Sequence, residues 1–385
     1  MGLQCIFNIT NQYNIDNIIA KIYYYKKFIF YLIIMRLNIY YSKTFLKLLL
    51  ACIAVSYFLF FGKAVHLSFS DDSLFSFKKI VMGVEVELIL RDSSESHARK
   101  ASEAAFSEMT RLDAIMSNWR ENSEISEVNR SQQGKWIPVS KELFEVISKG
   151  LDISKSTGGA FDITVGKLLN LWGFYTSSPK KPLKEETDNA LKSVGYKLIE
   201  LDPEKHSLFF KKPGIEIDLG GIAKGYILEK GFESLKGYGI KAGLINGSGD
   251  IYVWGEKPGD KLWNIAVEDP INREKPLTIL SVTDTAIFTS GDYERRFIEE
   301  DGVFHHILDP KTGMPASDCR GVTVIGKSIN EVNGVSSAVF ILGHEKGISF
   351  MEKINGVEAV IFDTDGKVIL TGGFKKKYPD AILSR

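Results

Sequence analysis

Four stretches of the chain place glycines, a carboxylate and small polar residues closer together than a hydrophobic core requires. The first is Thr157-Gly158-Gly159-Ala160-Phe161-Asp162-Ile163-Thr164. Its two glycines permit backbone angles or close approaches that other residues forbid. Asp162 suits a hydrogen bond to a ligand or the capping of a following helix, and capping is the commoner use of such a residue. The second stretch, Asp218-Leu219-Gly220-Gly221-Ile222-Ala223-Lys224-Gly225-Tyr226, reads as a strand over 215–219, a Gly-Gly turn and a helix start. Free N–H groups at such a start bind phosphate, and Lys224 adds a point charge. The spacing is neither a Walker loop nor a Rossmann fingerprint. It therefore suits a generic phosphate cradle and a plain strand-to-helix turn about equally.

The third stretch joins Thr289-Ser290-Gly291-Asp292-Tyr293-Glu294 to His305-His306-Ile307-Leu308-Asp309-Pro310-Lys311-Thr312-Gly313-Met314-Pro315. On a strand, His305 and His306 point to opposite sides, so only one faces a given site. Adjacent strand positions chelate a single zinc poorly. A histidine near Asp309 would act as a general base or be oriented by that carboxylate. Asp309 to Gly313 is also a good turn, which accounts for its Pro and Gly but not for the histidines. The fourth stretch, Asn333-Gly334-Val335-Ser336-Ser337, heads an apolar run. Asn333 and Ser337 share a face if the segment is helical; by itself it reads as a helix start rich in capping residues.

The elements that hold these stretches follow from periodicity. Apolar residues alternate with Glu85 and Glu87 between Val84 and Leu88, the period of a half-buried strand. Ala101, Ala105, Met109, Leu112 and Met116 recur at helical spacing. Leu143, Val146, Ile147 and Leu151 mark a second helix that ends at Gly158-Gly159. The stretch from Pro179 to Glu186 reads as an exposed loop. From Ala242 onward short β-like runs alternate with Gly-rich turns. Val357 to Phe362 and Val368 to Thr371 flank Asp363-Thr364-Asp365-Gly366, a hairpin signal. That tetrapeptide lacks the further ligands of a calcium loop. The class is mixed α and β (α/β, α+β), with helices packed on largely antiparallel sheet.

The bulk properties set the context. The 385 residues carry 48 acidic and 48 basic side chains, so no basic excess points to nucleic acid. Of three cysteines only Cys319 lies in the main body, which excludes a disulfide framework there. Residues 1–34 show no clean period and read as an N-terminal extension, with Met35 as the expected true start. Residues 35–64 read as a signal peptide or membrane anchor, with Arg36, Lys43 and Lys47 ahead of an apolar run from Leu48 to Phe61. Leu49-Leu50-Ala51-Cys52 loosely matches a lipoprotein cleavage box. A linker is expected over 65–78 and the main domain over 79–385.

In order along the chain, these motifs resemble the ApbE family of FAD:protein FMN transferases. Further markers are Ser117-Asn118-Trp119, Ser123-Glu124-Ile125-Ser126 with Asn129, and Leu171-Trp172-Gly173-Phe174. The resemblance implies a single catalytic module with a T-fold-like core, exported or membrane-attached on the extracytoplasmic side of the inner membrane. It implies FAD contacts at Met82, Trp119, Ala160, Phe161, Asp162, Asp218, Lys224 and Ile307. It implies Mg²⁺ held by the backbone of Gly221 and the side chains of Asn333 and Ser337. His306 and Lys224 are then the candidate catalytic residues. A Ser or Thr hydroxyl of a target protein would attack the pyrophosphate of FAD, forming an FMN phosphoester and releasing AMP. The implied acceptors are flavin-bearing subunits of membrane redox complexes such as Na⁺-pumping quinone reductase. One departure stands out. The family places Asp and Thr where this chain has Asn333 and Ser337, and loss of a carboxylate should weaken Mg²⁺ binding. A FAD-binding protein without transfer, or a FAD pyrophosphatase, are the alternatives that follow from it.

Overall fold

The computed structural model describes residues 72–131 and 134–384. The extension over 1–34 and the targeting segment over 35–64 lie outside the described residues, as does most of the linker. Residues 71–385 gather into one compact unit. Among the described residues, no helix is long and apolar enough to cross a membrane.

Eight strands form the central sheet, and their spatial order is their chain order: Ser73–Val81, Val84–Asp92, Ala242–Gly247, Asp250–Trp254, Thr285–Gly291, Gly321–Gly326, Glu358–Phe362 and Val368–Leu370. Each neighbouring pair is antiparallel. The expected class of helices on largely antiparallel sheet is what forms. Alternation assigns the faces. Val86, Leu88 and Leu90 enter the main core, while Ile89 packs on a second cluster behind the sheet. That second cluster is closed by the hairpin Trp263–Glu268 with Pro276–Val282.

The main core lies between the sheet and two crossed helices. Glu95–Met116 buries Ala101, Ala105, Met109, Leu112 and Met116, the residues whose spacing marks it. It packs across Ala223–Gly237. A Cβ at Gly231 would come within 1.9 Å of Met109 Cε, so glycine sets how closely these helices approach.

Three expectations change. The linker ends early, because Ser73–Val81 is a strand paired along its whole length. Its polar residues disguised it, since an edge strand keeps one face in water. The loop from Pro179 stops at Leu183, where the helix Lys184–Leu191 begins. Residues 215–219 are extended but join no sheet, holding only a single bridge between Glu216 and Val165. At the other end of the chain, Asp363 accepts N–H bonds from Asp365 and Lys367 within its own hairpin turn, which absorbs that carboxylate locally.

Candidate active site

The first two motifs build one wall of a cavity of about 630 Å³. The helix Lys141–Ser156 ends at Thr157, and Gly158 and Gly159 turn the chain back with φ of 60° and 79°. Only glycine takes two successive left-handed residues cheaply. Thr157 Oγ1 accepts the Phe161 N–H at 3.2 Å, and Asp218 N–H donates to Ile163 O at 2.7 Å, joining the two motifs. The Phe161 ring then lies on Gly221, where a Cβ would be 2.8 Å from it. Two asparagines clamp the extended residues before Asp218. Asn118 and Asn129 both donate to Ile217 O, and Asn129 Oδ1 accepts Ile217 N–H.

Carboxylates on this wall are spoken for. Asp162 accepts from the Thr164 N–H and hydroxyl and from Tyr196 N–H. It staples a loop and does not cap the helix that follows, Gly166–Leu171, which has no side-chain cap. Asp218 accepts Gly220 N–H at 3.0 Å and the phenol of Tyr175. Burial raises its pKa, and the Tyr175 and Gly220 bonds oppose that rise. Lys224 opens the helix Ala223–Gly237 and pairs at 3.0 Å with Asp250. Asp250 also accepts Thr289 N–H at 3.2 Å. Its carboxyl is pushed up by burial, and Lys224 pulls it back.

The histidines separate, although only His305 lies on a strand. His305 ends the strand Gly302–His305 and turns into the core against Phe340. Its Nε2 bonds Ala316 O at 2.9 Å and its Nδ1 accepts Ile307 N–H, so the ring is a satisfied neutral tautomer. His306 faces the cavity. Its Nδ1 lies 3.3 Å from Arg295 O. A carbonyl only accepts, so Nδ1 carries the proton and Nε2 keeps the lone pair. Burial first, then Arg295 and His305, hold its pKa down to about 3. Asp309 does not orient it, contrary to expectation. That carboxylate accepts Lys311 N–H in its own turn.

The cavity wall includes Met82, Trp119, Phe161, Asp162, Asp218, Gly221, Lys224, His306, Ile307 and Ser337. Met82 arrives from the tip of the first hairpin, where it and Gly83 both have positive φ. Ala160 is buried behind the wall, and Asn333 also stands back from it. The expected shared helical face of Asn333 and Ser337 is not formed. Asn333 is extended, Gly334 is left-handed at φ 78°, and the helix Val335–Met351 starts only after that. Asn333 Nδ2 donates to Ile222 O at 2.8 Å, and its amide lies on Gly225, where a Cβ would clash at 2.3 Å. Ser337 Oγ and Ser290 Oγ are 3.0 Å apart. Among the described residues, no cluster of three or more His, Cys, Asp or Glu is placed to hold a metal.

Tyr175, Asp250 and Arg295 carry no role that sequence reasoning found. The Tyr175 and Trp119 rings meet perpendicularly with centroids 4.9 Å apart, and Arg295 lies 5.6 Å above the Trp119 ring. The carboxylate at the end of Asn246-Gly247-Ser248-Gly249-Asp250 was the one local signal, since that turn does not require it. Tyr175 and Arg295 carry no such mark.

The ApbE family model matches residues 82–361. A FAD:protein FMN transferase of Treponema pallidum is 29% identical over 299 residues, covering 74% of this chain and 82% of that protein. One from Haemophilus influenzae is 29% identical over 327 residues, covering 82% and 88%. Among solved structures, the ApbE protein of Thermotoga maritima superposes with a TM-score of 0.74 at 30% identity, covering 79% of this chain and 99% of its own. The apo flavinyl transferase ApbE of Pseudomonas stutzeri gives 0.71 at 28%, covering 80% and 97%.

Proposed function

The chain belongs to the ApbE family, and from that premise we propose that it is a FAD:protein FMN transferase. It moves the FMN half of FAD onto a Ser or Thr hydroxyl of a target protein as a phosphoester and releases AMP. The observation that carries this reading is convergence. Lys224, His306 and the aromatic Trp119 and Phe161, scattered along the chain, line one cavity beside the Gly220-Gly221 turn.

The residues divide the work. Trp119 and Phe161 offer ring faces to flavin or adenine. The start of the helix at Ala223 and the Lys224 ammonium attract the pyrophosphate. The acceptor oxygen forms a bond to the FMN phosphorus as the bond to the AMP oxygen breaks. His306 Nε2, with its lone pair free, takes the hydroxyl proton. Phosphate beside that ring raises its pKa again, because an anion favours imidazolium.

Mg²⁺ is part of the proposal. The donors at hand are the Gly221 carbonyl, the Ser337 hydroxyl and the Asn333 amide oxygen, neutral oxygens of the class Mg²⁺ accepts. The hydrogen bond from Asn333 Nδ2 to Ile222 O leaves Oδ1 as the atom available to a cation. When bound, the ion would neutralise charge developing on the phosphates. Without a carboxylate, more of the anionic charge must come from FAD itself.

Residues 35–64 support attachment to the inner membrane with the domain on its extracytoplasmic side, and acceptors that are subunits of membrane redox complexes. Asn333 also motivates a second reading, FAD binding or hydrolysis without transfer. Incubating the protein with FAD, Mg²⁺ and a candidate acceptor domain separates these. An FMN-sized gain in acceptor mass supports transfer. AMP without that gain means hydrolysis, and intact bound FAD sinks both enzymatic readings. With Asn333→Asp, the Mg²⁺ concentration for half-maximal activity should fall about tenfold, as for restored metal-site charge; an unchanged value would remove the metal argument.

A further inference from the structure

Arg295 stands at the mouth of the cavity with its guanidinium above the Trp119 ring. Among the described residues it has no hydrogen-bond acceptor and no carboxylate partner for that guanidinium. Its backbone, by contrast, is fixed, because Arg295 O accepts both the N–H and the Nδ1 of His306. The side chain is therefore held at the base by the His306 contact and at the head by an aromatic face. An arginine stacked this way keeps its in-plane N–H donors free, and those donors match phosphate. Its charge also reaches the wall, pulling down the pKa values of Asp218, Tyr175 and His306.

We infer that Arg295 is the anion-recognition residue at the cavity mouth, covering one face of Trp119 and donating to the phosphates of FAD. This rests on the reading that the cavity takes FAD. It has a geometric corollary. With Arg295 over one face of Trp119 and the Tyr175 ring perpendicular to it, a ring of the substrate cannot stack on the face that Arg295 covers. The arginine thus fixes which side of the tryptophan reads the ring, while its own plane reads the phosphate beside it.

Two ligands separate phosphate recognition from support of the tryptophan: FAD, and riboflavin, which has the ring but no phosphate. Binding is followed by flavin fluorescence with the wild-type protein, Arg295→Met and Arg295→Lys. Arg295→Met should weaken FAD by about 10- to 100-fold, the range for a lost charge-assisted hydrogen bond, and leave riboflavin within about twofold. Arg295→Lys should fall between, keeping charge but not the planar fork. Added KCl should weaken FAD binding more steeply for the wild type than for Arg295→Met. Unchanged FAD affinity in Arg295→Met, equal weakening of both ligands, or parallel salt dependences would each overturn the inference. Failure of the wild-type protein to bind FAD at all would instead overturn the proposed function, and this assignment with it.

Discussion

The inner wall of the cavity and its mouth use their charged residues in opposite ways. On the inner wall, Asp162, Asp218 and Asp250 are buried, and each is engaged by donors from its own chain. At the mouth, Trp119 is 56% exposed and Arg295 holds only a ring face. A carboxylate in the apolar interior must be paired or hydrogen-bonded to stay there, so its capacity is spent on the fold. A guanidinium in water incurs no such cost and can keep its donors for a ligand. The wall therefore shapes the site, and the mouth selects what enters. Lys224 and His306 are the wall's two exceptions: each has one internal partner and a part still turned to the cavity.

Removing an exception should hurt most. Lys224→Met deletes the cation nearest the helix start and leaves Asp250 unpaired. FMN transfer should fall by roughly 100- to 1,000-fold, the usual range for one lost electrostatic stabiliser, measured as AMP release. The double variant Lys224→Met, Asp250→Asn should recover folding stability but not the rate. If the rate returns with stability, Lys224 belongs to the fold rather than to the chemistry.

His306→Gln should lower transfer by about 100-fold, the lower range for a general base. It should also alter acid stability in a defined direction. The folded ring has a pKa near 3, and the unfolded one about 6.5. Between those values the unfolded chain binds a proton that the folded chain refuses, so stability declines as pH falls below 6.5. Denaturant midpoints at pH 7 and pH 5 should differ less in the variant. His305 adds the same sign of effect and remains, so the decline is reduced rather than abolished.

Tyr175→Phe should have the smallest effect on rate and a clear one on stability. It removes the phenol that donates to buried Asp218. A buried acceptor left without that donor costs about 1–3 kcal/mol, readable from urea unfolding. A rate loss larger than that of His306→Gln would move Tyr175 from the scaffold into the chemistry and erase the contrast between wall and mouth.

Motifs whose signal is local were legible along the chain. The Gly158-Gly159 and Gly220-Gly221 turns, the helix under Ala101 to Met116 and the hairpin around Asp363 all formed where periodicity and turn chemistry placed them. Contacts between distant residues were not. Asn118, just past one helix, and Asn129, within the next, show no local sign that they grip Ile217. Asn333 sits four residues from Ser337, but the left-handed Gly334 breaks the helical face that spacing implied.

What the sequence determined by itself is the ordered set of motifs, the α and β alternation that carries them, and the rule that His305 and His306 must diverge. Adjacent strand residues face opposite ways, and the divergence holds here although His306 lies one residue past the end of its strand. Which histidine meets the cavity, which aspartate pairs with Lys224, and which aromatic Arg295 covers were decided only by the tertiary structure. Those outcomes depend on how sheet, helices and loops pack against one another, and no local pattern in the chain encodes a partner that folding brings from another element.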